Sequence, residues 1–280
     1  MKLAVLAPPD NPLPDQPGIG PPRKVTCPAM GTLAHSLRSS FTFAVGIPLT
    51  AFCAVAVILH TLFRPPGGLL DRVPGFWGRT WCRAAGVKLT VEGLERIDPE
   101  QAYVVISNHQ SAFDIFAHFA ALPVPIRFLA KQELFRIPLF GAAMRRIGIV
   151  EVDRGAGRAT HQAVNRGAAH NMALGRSLMI YPEGTRSRDG AMLPFKKGAF
   201  AIARNLGVPI VPTAITGSRQ VWVAGSKIIR PGHITVTIMD PISTDNMTLR
   251  DLSGLTEQAH ALIAKVADPE AAAEPSDSRR

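Results

Sequence analysis

The stretch AYVVISNHQSAFDIFAHFAA, residues 102–121, contains a strand, a polar turn and a helix in direct succession. Residues 102–107 are apolar and rich in β-branched side chains, which predicts a buried strand. Residues 111–121 carry apolar side chains at helical spacing, and Ser111 can cap the helix that they predict. A strand that ends in a polar turn before a helix is typical of α/β domains.

The same alternation of short β-branched runs and helical stretches continues on both sides of this segment. Candidate strands lie at 87–91, 102–107, 126–130, 149–152, 177–181, 209–215 and 234–239. Candidate helices lie near 111–121, 133–147, 158–175, 198–206 and 249–266. We therefore predict an α/β domain with a mostly parallel sheet flanked by helices.

Residues 41–63 form an apolar segment that contains no Asp, Glu, Lys or Arg. As a helix it would be about 35 Å long, which is enough to cross the hydrocarbon core of a bilayer. Two alternatives remain open at this point. The segment could be a buried core helix, or Pro48 could bend it into a shallow hairpin within one leaflet.

Residues 69–86 have the composition of a helix at a membrane surface. Trp77 and Trp81 are four residues apart and share one helix face, and three arginines are available to lipid phosphates. The alternative is an ordinary packed surface helix.

These patterns divide the chain into four parts. The proline content of residues 1–32 predicts a disordered tail. For residues 33–86 we predict membrane-embedded and interfacial helices. Residues 87–268 form the predicted α/β domain, and residues 269–280 a second disordered tail.

Composition limits the classes of function. The 280 residues carry a formal net charge of +10, which suits an anionic membrane, nucleic acid or phosphorylated substrates. No basic stripe with interleaved aromatic residues and no zinc-finger spacing is present, so nucleic acid is not an expected partner. The three cysteines lie far apart in the sequence, which predicts neither a disulfide framework nor a metal site.

His109 and Asp114 are the first candidate for chemistry. Their five-residue spacing across a turn and the first turn of a helix lets the carboxylate bind one imidazole nitrogen. The other nitrogen would then be free to act as a general base. The alternative is a histidine that only caps the helix.

The second candidate is YPEGTRSR at residues 181–188, directly after a predicted strand. Gly184 permits a tight turn with exposed amides, Thr185 adds a hydroxyl, and Arg186 offers planar donors for phosphate. Glu183 could orient an arginine or a substrate hydroxyl. The alternative is a solvated polar loop.

Two further cations, Lys131 and Arg154, lie at the ends of predicted strands, where the sites of such sheets gather. For Arg154, an ion pair with Asp153 is the alternative. The pair Gly217-Ser218 lacks the form of a nucleophile elbow. Together these residues favour direct transfer to a hydroxyl on a phosphorylated lipid, without a covalent enzyme intermediate.

Four blocks in this order resemble the glycerophospholipid acyltransferase family, most closely its bacterial 1-acylglycerol-3-phosphate acyltransferases. They are NHQSAFD (108–114), GIVEVDR (148–154), YPEGTRS (181–187) and VPIVP (208–212). Glu151 departs from the family pattern, which usually has an aromatic residue there. That difference leaves the acceptor preference open.

The resemblance implies transfer of a fatty acyl group from an acyl thioester to the sn-2 hydroxyl of lysophosphatidic acid, giving phosphatidic acid. The thioester co-substrate would be acyl-CoA or acyl carrier protein, with no further cofactor. His109 would take the hydroxyl proton and Asp114 would orient His109. The remaining implied roles are phosphate binding by Lys131, Arg154 and Arg186, and shaping of the acceptor pocket by Glu183, Gly184 and Thr185.

With the apolar segment, the resemblance also implies contact with membrane lipids. The expected location is the inner (cytoplasmic) membrane, with the catalytic domain on the cytoplasmic face. Three alternatives remain: the same transfer to another lysophospholipid or lyso-aminolipid, a lipid hydrolase, and an inactive membrane-anchored lipid-binding module.

Overall fold

The structure, a computed structural model, describes residues 31–64, 67–153, 158–187 and 189–268. The predicted tails therefore lie outside the described residues, apart from Gly31 and Thr32.

Seven strands form one sheet in the order β1-β7-β6-β2-β5-β3-β4. They are β1 (Val87–Glu92), β2 (Val104–Ser107), β3 (Ile126–Lys131), β4 (Val150–Val152), β5 (Ser177–Ile180), β6 (Ile210–Thr216) and β7 (Gly232–Ile238). Neighbouring strands run parallel except for the antiparallel pair β6 and β7. The predicted fold class is confirmed, and every predicted strand is present.

The helices described by the structure are α1 (Thr32–Phe63), α2 (Leu69–Ala85), α3 (Phe113–Ala121), α4 (Gln132–Phe135), α5 (Phe140–Ile147), α6 (Arg158–Ala173), α7 (Gly198–Leu206), α8 (Ser218–Val221) and α9 (Leu252–Ala267). The prediction of a single helix near 133–147 is wrong, because the helical structure is interrupted between α4 and α5. The cause is Pro138, which has no N–H and disfavours helical geometry at the preceding residue.

Both faces of the sheet are covered, which explains the continuous apolar run of β2. Val104 and Ile106 pack in a cluster with residues of α6, α7 and α9. Val105 points to the opposite face and packs with Phe119 of α3. Because successive side chains of a strand alternate between faces, a strand covered on both sides must be apolar throughout.

Helix α1 runs without interruption through Pro48, so the hairpin alternative is wrong. It is long and apolar enough to cross a membrane. It is not a core helix, because many of its large apolar side chains are exposed. These are Leu33, Leu37, Phe41, Ile47, Phe52, Val55, Leu59, Leu62 and Phe63.

Helix α2 packs on α1 through the two tryptophans that the sequence assigned to a lipid interface. Both Trp77 and Trp81 donate a hydrogen bond from Nε1 to Oγ1 of Thr50 in α1, at 2.8 and 3.3 Å. Both rings also pack on Phe116 of α3, with ring centroids 4.8 Å apart. The interfacial prediction is therefore wrong for these two rings, which join α1 and α3.

Candidate active site

The polar turn after β2 is attached to the sheet by Asn108. Its side-chain amide donates to the carbonyl of Ile215 at 2.9 Å, and its Oδ1 accepts from the N–H of Ile215 at 2.8 Å. Asn108 thus pairs with β6 as a strand backbone would, and so determines where His109 leaves the sheet. The sequence offered one signal for this role, an amide that both donates and accepts directly after a buried strand.

His109 and Asp114 form the predicted pair. Nδ1 of His109 lies 2.7 Å from Oδ2 of Asp114, whose side chain is fully buried. The same oxygen accepts from the backbone N–H groups of Gln110 and Ser111 at 2.7 and 2.8 Å. Because the carboxylate can only accept, Nδ1 carries the imidazole proton and Nε2 holds the lone pair.

Ser111, rather than His109, accepts a side-chain hydrogen bond at the start of α3. The N–H of Phe113 donates to Oγ of Ser111 at 3.2 Å, and this hydroxyl donates to the carbonyl of Trp222 at 2.8 Å. The imidazole of His109 is therefore not used as a helix cap, and the capping alternative is wrong.

Glu183 contacts the same turn from the end of β5. Its Oε1 accepts from the backbone N–H of His109 at 2.6 Å, and its Oε2 accepts from that of Leu193 at 3.0 Å. The carboxylate is buried, and burial raises its pKa above the ordinary glutamate value. The N–H of Ser187 closes the contact by donating to the carbonyl of His109 at 3.0 Å.

The turn that follows Glu183 presents its remaining groups outward. Gly184 has φ of 74°, in the left-handed region that favours glycine, as the tight turn requires. A Cβ at Gly184 would lie 2.8 Å from Nζ of Lys196, a cation that the sequence did not assign to the site. Thr185 and Arg186 are exposed.

The other two predicted cations are Lys131 and Arg154. Lys131 is exposed at the end of β3, which is separated from β2 by β5. It is at the same edge of the sheet as His109, because these three strands are parallel. Arg154 lies outside the described residues, just beyond β4. Glu151 of β4 pairs with Arg145 at 3.2 Å.

The sequence assigned no role to Tyr181, which contacts His109, or to His118, which contacts Tyr181. Tyr181 stacks on the His109 ring with centroids 3.9 Å apart and planes 7° apart. The Tyr181 hydroxyl lies 3.2 Å from Nδ1 of His118, a fully buried histidine. Burial lowers the pKa of His118 to about 4, so this second histidine is neutral at neutral pH. Among the described residues, no group of three or more His, Cys, Asp or Glu side chains could hold a metal ion.

Residues 88–216 match the sequence profile of the acyltransferase family. This part of the chain belongs to that family. The matched range contains both turns, so His109, Asp114 and the 183–186 turn are parts of the acyltransferase domain.

Curated relatives match over a longer region. A 1-acyl-sn-glycerol-3-phosphate acyltransferase of Cocos nucifera is 36% identical over 66% of this chain and 59% of its own length. The chloroplastic 1-acyl-sn-glycerol-3-phosphate acyltransferase LPAT1 of Arabidopsis thaliana is 33% identical over 75% of this chain and 60% of its own length. The 1-acyl-sn-glycerol-3-phosphate acyltransferase alpha of Homo sapiens is 30% identical over 64% of this chain and 63% of its own length. The chain thus spans less than two thirds of the length of these relatives.

A solved structure has the same fold. The crystal structure of the 1-acyl-sn-glycerophosphate (LPA) acyltransferase PlsC from Thermotoga maritima superposes with a TM-score of 0.75. The match covers 88% of this chain and 100% of that one, at 23% identity. At that identity the likeness concerns the fold, which includes the N-terminal helices as well as the acyltransferase domain.

Proposed function

We propose that this protein transfers a fatty acyl group from an acyl thioester to the sn-2 hydroxyl of lysophosphatidic acid, giving phosphatidic acid. The observation that carries the proposal is the 2.7 Å contact between His109 Nδ1 and the buried Asp114 carboxylate, inside an acyltransferase domain. The curated relatives, which are named for this acceptor, support the choice of substrate.

The geometry suits general-base catalysis by His109. Nε2 accepts the proton of the acceptor hydroxyl while the hydroxyl oxygen attacks the thioester carbonyl. The tetrahedral intermediate then breaks its C–S bond, and the departing thiolate takes the proton back from the imidazolium. Asp114 stabilises the imidazolium between these steps. The ester and the free thiol are the only products.

The acceptor phosphate is assigned to the cations at the carboxyl edge of the sheet. Arg186 and Lys131 are exposed there, and the sequence places Arg154 at the end of the neighbouring β4. The glycine turn at Gly184 brings Lys196 to the same side. A phosphate bound by these groups would leave the adjacent hydroxyl near His109. The donor thioester, acyl-CoA or acyl carrier protein, is anionic in either case.

We assign a membrane to the exposed apolar surface of α1. Three further aliphatic side chains, Leu134, Ile137 and Leu139, are exposed on the segment that leaves the carboxyl end of β3. That end of β3 is at the edge of the sheet that carries His109. A bilayer in contact with both surfaces would present lysophospholipid directly to the site. We place the protein at the inner (cytoplasmic) membrane, with its catalytic domain on the cytoplasmic face.

Acyl transfer from labelled acyl-CoA to lysophosphatidic acid in detergent tests the proposal. Wild type should make phosphatidic acid and His109→Ala should not. The matched control is His170→Ala, which removes an exposed histidine of α6 and should retain full activity. If wild type is inactive with acyl-CoA, with acyl carrier protein and with a panel of lysolipids, the proposal fails and an inactive lipid-binding module becomes the better interpretation.

Glu151 favours one second candidate, the same transfer to a different lysophospholipid or lyso-aminolipid. Its side chain is about one-third exposed and pairs with Arg145 across the surface of β4. A carboxylate near the acceptor site would disfavour a terminal phosphate and favour an amine. Initial rates with lysophosphatidic acid and with lysolipids that lack the terminal phosphate distinguish the two acceptors. Release of free fatty acid without any acceptor would instead indicate a hydrolase.

A further inference from the structure

The aromatic ring of Tyr181 covers one face of the His109 imidazole, and the general-base mechanism above does not use it. The sheet register explains the contact. Ile106 of β2 lies opposite Ile180 of β5, so the residues that follow each strand are brought together at the same edge. The two rings are nearly parallel, with planes 7° apart and centroids 3.9 Å apart.

Two neighbours determine the position of the Tyr181 ring. Phe128 of β3 stacks against it with centroids 5.7 Å apart and planes 24° apart. His118 of α3 meets its edge at 5.8 Å and approaches its hydroxyl with Nδ1 at 3.2 Å. Tyr181 is therefore held both by packing and by a directed polar contact.

The tautomer of His118 follows from its other partners. Nδ1 lies 2.7 Å from the backbone carbonyl of Asp114, which can only accept, so Nδ1 carries the proton. Nε2 then holds the lone pair and lies 3.2 Å from Oγ1 of Thr213, whose single hydroxyl proton is shared with the carbonyl of Ile106 at 2.9 Å. The Tyr181 oxygen shares the proton of Nδ1 as a second acceptor. Both Tyr181 and His118 are thus neutral groups with defined orientations.

These contacts link Asp114, His118 and Tyr181 to one another and to the proposed general base, His109. Asp114 binds the edge of the His109 ring through its carboxylate and binds His118 through its backbone carbonyl. His118 in turn binds Tyr181, which stacks on His109. The imidazole is therefore restrained in its plane by Asp114 and across its face by Tyr181.

We propose that Tyr181 is a positioning residue for His109, which holds the plane of the imidazole and stabilises the imidazolium through its aromatic face, and that His118 fixes the Tyr181 ring. This inference rests on the proposed function. A cation is attracted to the face of an aromatic ring, whereas a neutral imidazole gains much less. Because the positive charge exists only while the acceptor hydroxyl is deprotonated, Tyr181 stabilises the transition state and not the bound acceptor.

Two substitutions of Tyr181 distinguish the contribution of its ring to kcat from that of its hydroxyl. Tyr181→Leu removes both and should lower kcat about tenfold, which corresponds to about 1.4 kcal/mol, with KM for the acceptor changed less than about twofold. Tyr181→Phe keeps the ring and should recover most of that loss. The matched controls are Tyr103→Leu and Tyr103→Phe, at the other tyrosine of the chain, which lies at the opposite end of β2. Both controls should retain the wild-type kcat.

The role of His118 is tested by a double-mutant cycle. His118→Leu should lower kcat by about as much as Tyr181→Phe, and the double variant should be no worse than either single variant. Additive losses would show that His118 does not act through the Tyr181 hydroxyl, and would overturn that part of the proposal.

A second measurement does not depend on activity. In proteins labelled with ¹³C-histidine, the ring protons of His109, assigned by comparison with His109→Gln, should be shifted upfield by the Tyr181 ring. Tyr181→Leu should abolish that shift, and Tyr181→Phe should preserve it. An unshifted His109 in wild type, or an unchanged kcat in Tyr181→Leu, overturns the proposal.

These outcomes also distinguish this inference from the proposed function. An inactive wild type with a clear ring-current shift would reject the reaction and leave the stacked geometry in place. An active wild type whose kcat does not change in Tyr181→Leu would support the reaction and reject the role assigned to Tyr181.

Discussion

The backbone N–H of His109 donates a 2.6 Å hydrogen bond to Oε1 of Glu183, 74 residues further along the chain. The bond joins the two polar turns that follow the parallel neighbours β2 and β5. Since the second oxygen of Glu183 accepts from Leu193, the buried carboxylate is fully used by backbone groups. Glu183 therefore holds the backbone of His109 in place, and the exposed Thr185 and Arg186 are the members of its turn that face solvent.

We expect Glu183→Gln to lower both stability and activity. The glutamine oxygen can replace only one of the two acceptors, so its amide group would meet a backbone N–H as a second donor. A buried donor without an acceptor costs about 1–3 kcal/mol, and a displaced His109 backbone should reduce kcat. Thermal melting and initial rates measure the two effects. Glu257→Gln, at an exposed position of α9, is the control. Wild-type behaviour of Glu183→Gln would show that the two acceptors are not required.

Asp114→Asn should preserve the fold of the turn and lose most of the activity. The asparagine oxygen can still accept from His109 Nδ1 and from the N–H groups of Gln110 and Ser111. The negative charge that stabilises the imidazolium is lost, so we expect kcat to fall about 10²-fold, against at least about 10³-fold for His109→Ala. KM for the acceptor should change little. A fully active Asp114→Asn would assign the pair a structural role only.

The His109–Asp114 pair could be predicted from the sequence because its geometry is local. Five residues across one turn leave few arrangements, and the structure has the one that the spacing indicated. The central strands β2 and β5 were predictable for another reason, since burial on both faces gives each of them a short run of apolar residues. Glu183, in contrast, is attached to His109 by a bond across two strands, and no local pattern encodes that register.

The two tryptophans of α2 show a different limit of sequence reasoning. An aromatic pair on one helix face has the same spacing whether that face contacts lipid or another helix. Only the position of Thr50, which accepts hydrogen bonds from both Trp77 and Trp81, determines which of the two applies. Tyr181 belonged to the predicted 181–188 cluster but was given no role, because its stacking on His109 depends on the pairing of β2 with β5 and no local pattern encodes it.

Arg186→Ala should weaken acceptor binding, because Arg186 is the exposed cation of the turn that also carries Glu183. We expect KM for lysophosphatidic acid to rise about tenfold, in line with the loss of a charge-assisted hydrogen bond of about 1.5–3 kcal/mol. KM for an acceptor without a terminal phosphate should stay unchanged, which is the internal comparison. Arg250→Ala removes an equally exposed arginine before α9 and should have no effect. Unchanged KM and kcat in Arg186→Ala would exclude it from the phosphate site.

Asp71→Asn should destabilise the protein strongly. Asp71 at the start of α2 contacts the guanidinium groups of both Arg127 and Arg176, which are buried at the amino ends of β3 and β5. Without the carboxylate, two buried cations would lie side by side, and breaking such a pair costs about 3–5 kcal/mol. The control is Asp240→Asn, which removes an exposed partner of Arg96 and should cost less than about 1 kcal/mol. Equal melting temperatures for the two variants would contradict the assigned role.

His118 should make the protein less stable as the pH falls. Burial lowers its pKa from 6.5 to about 4, so between these values the unfolded chain binds a proton that the folded protein does not. The free energy of unfolding therefore decreases from pH 6.5 down to about pH 4, by about 3 kcal/mol in total, and is independent of this group outside that window.

The variant His118→Gln removes the titration while keeping polar atoms near Asp114 and Thr213. Urea unfolding at several pH values should show a shallower fall in stability for this variant than for wild type. The pKa of His260 is also lowered by burial, so this less buried histidine likewise lowers the free energy of unfolding as the pH falls. His260→Gln should accordingly retain most of the wild-type slope. If His118→Gln and wild type lose stability in parallel below pH 6.5, His118 must be protonated in the folded protein, and the neutral tautomer assigned beside Tyr181 is incorrect.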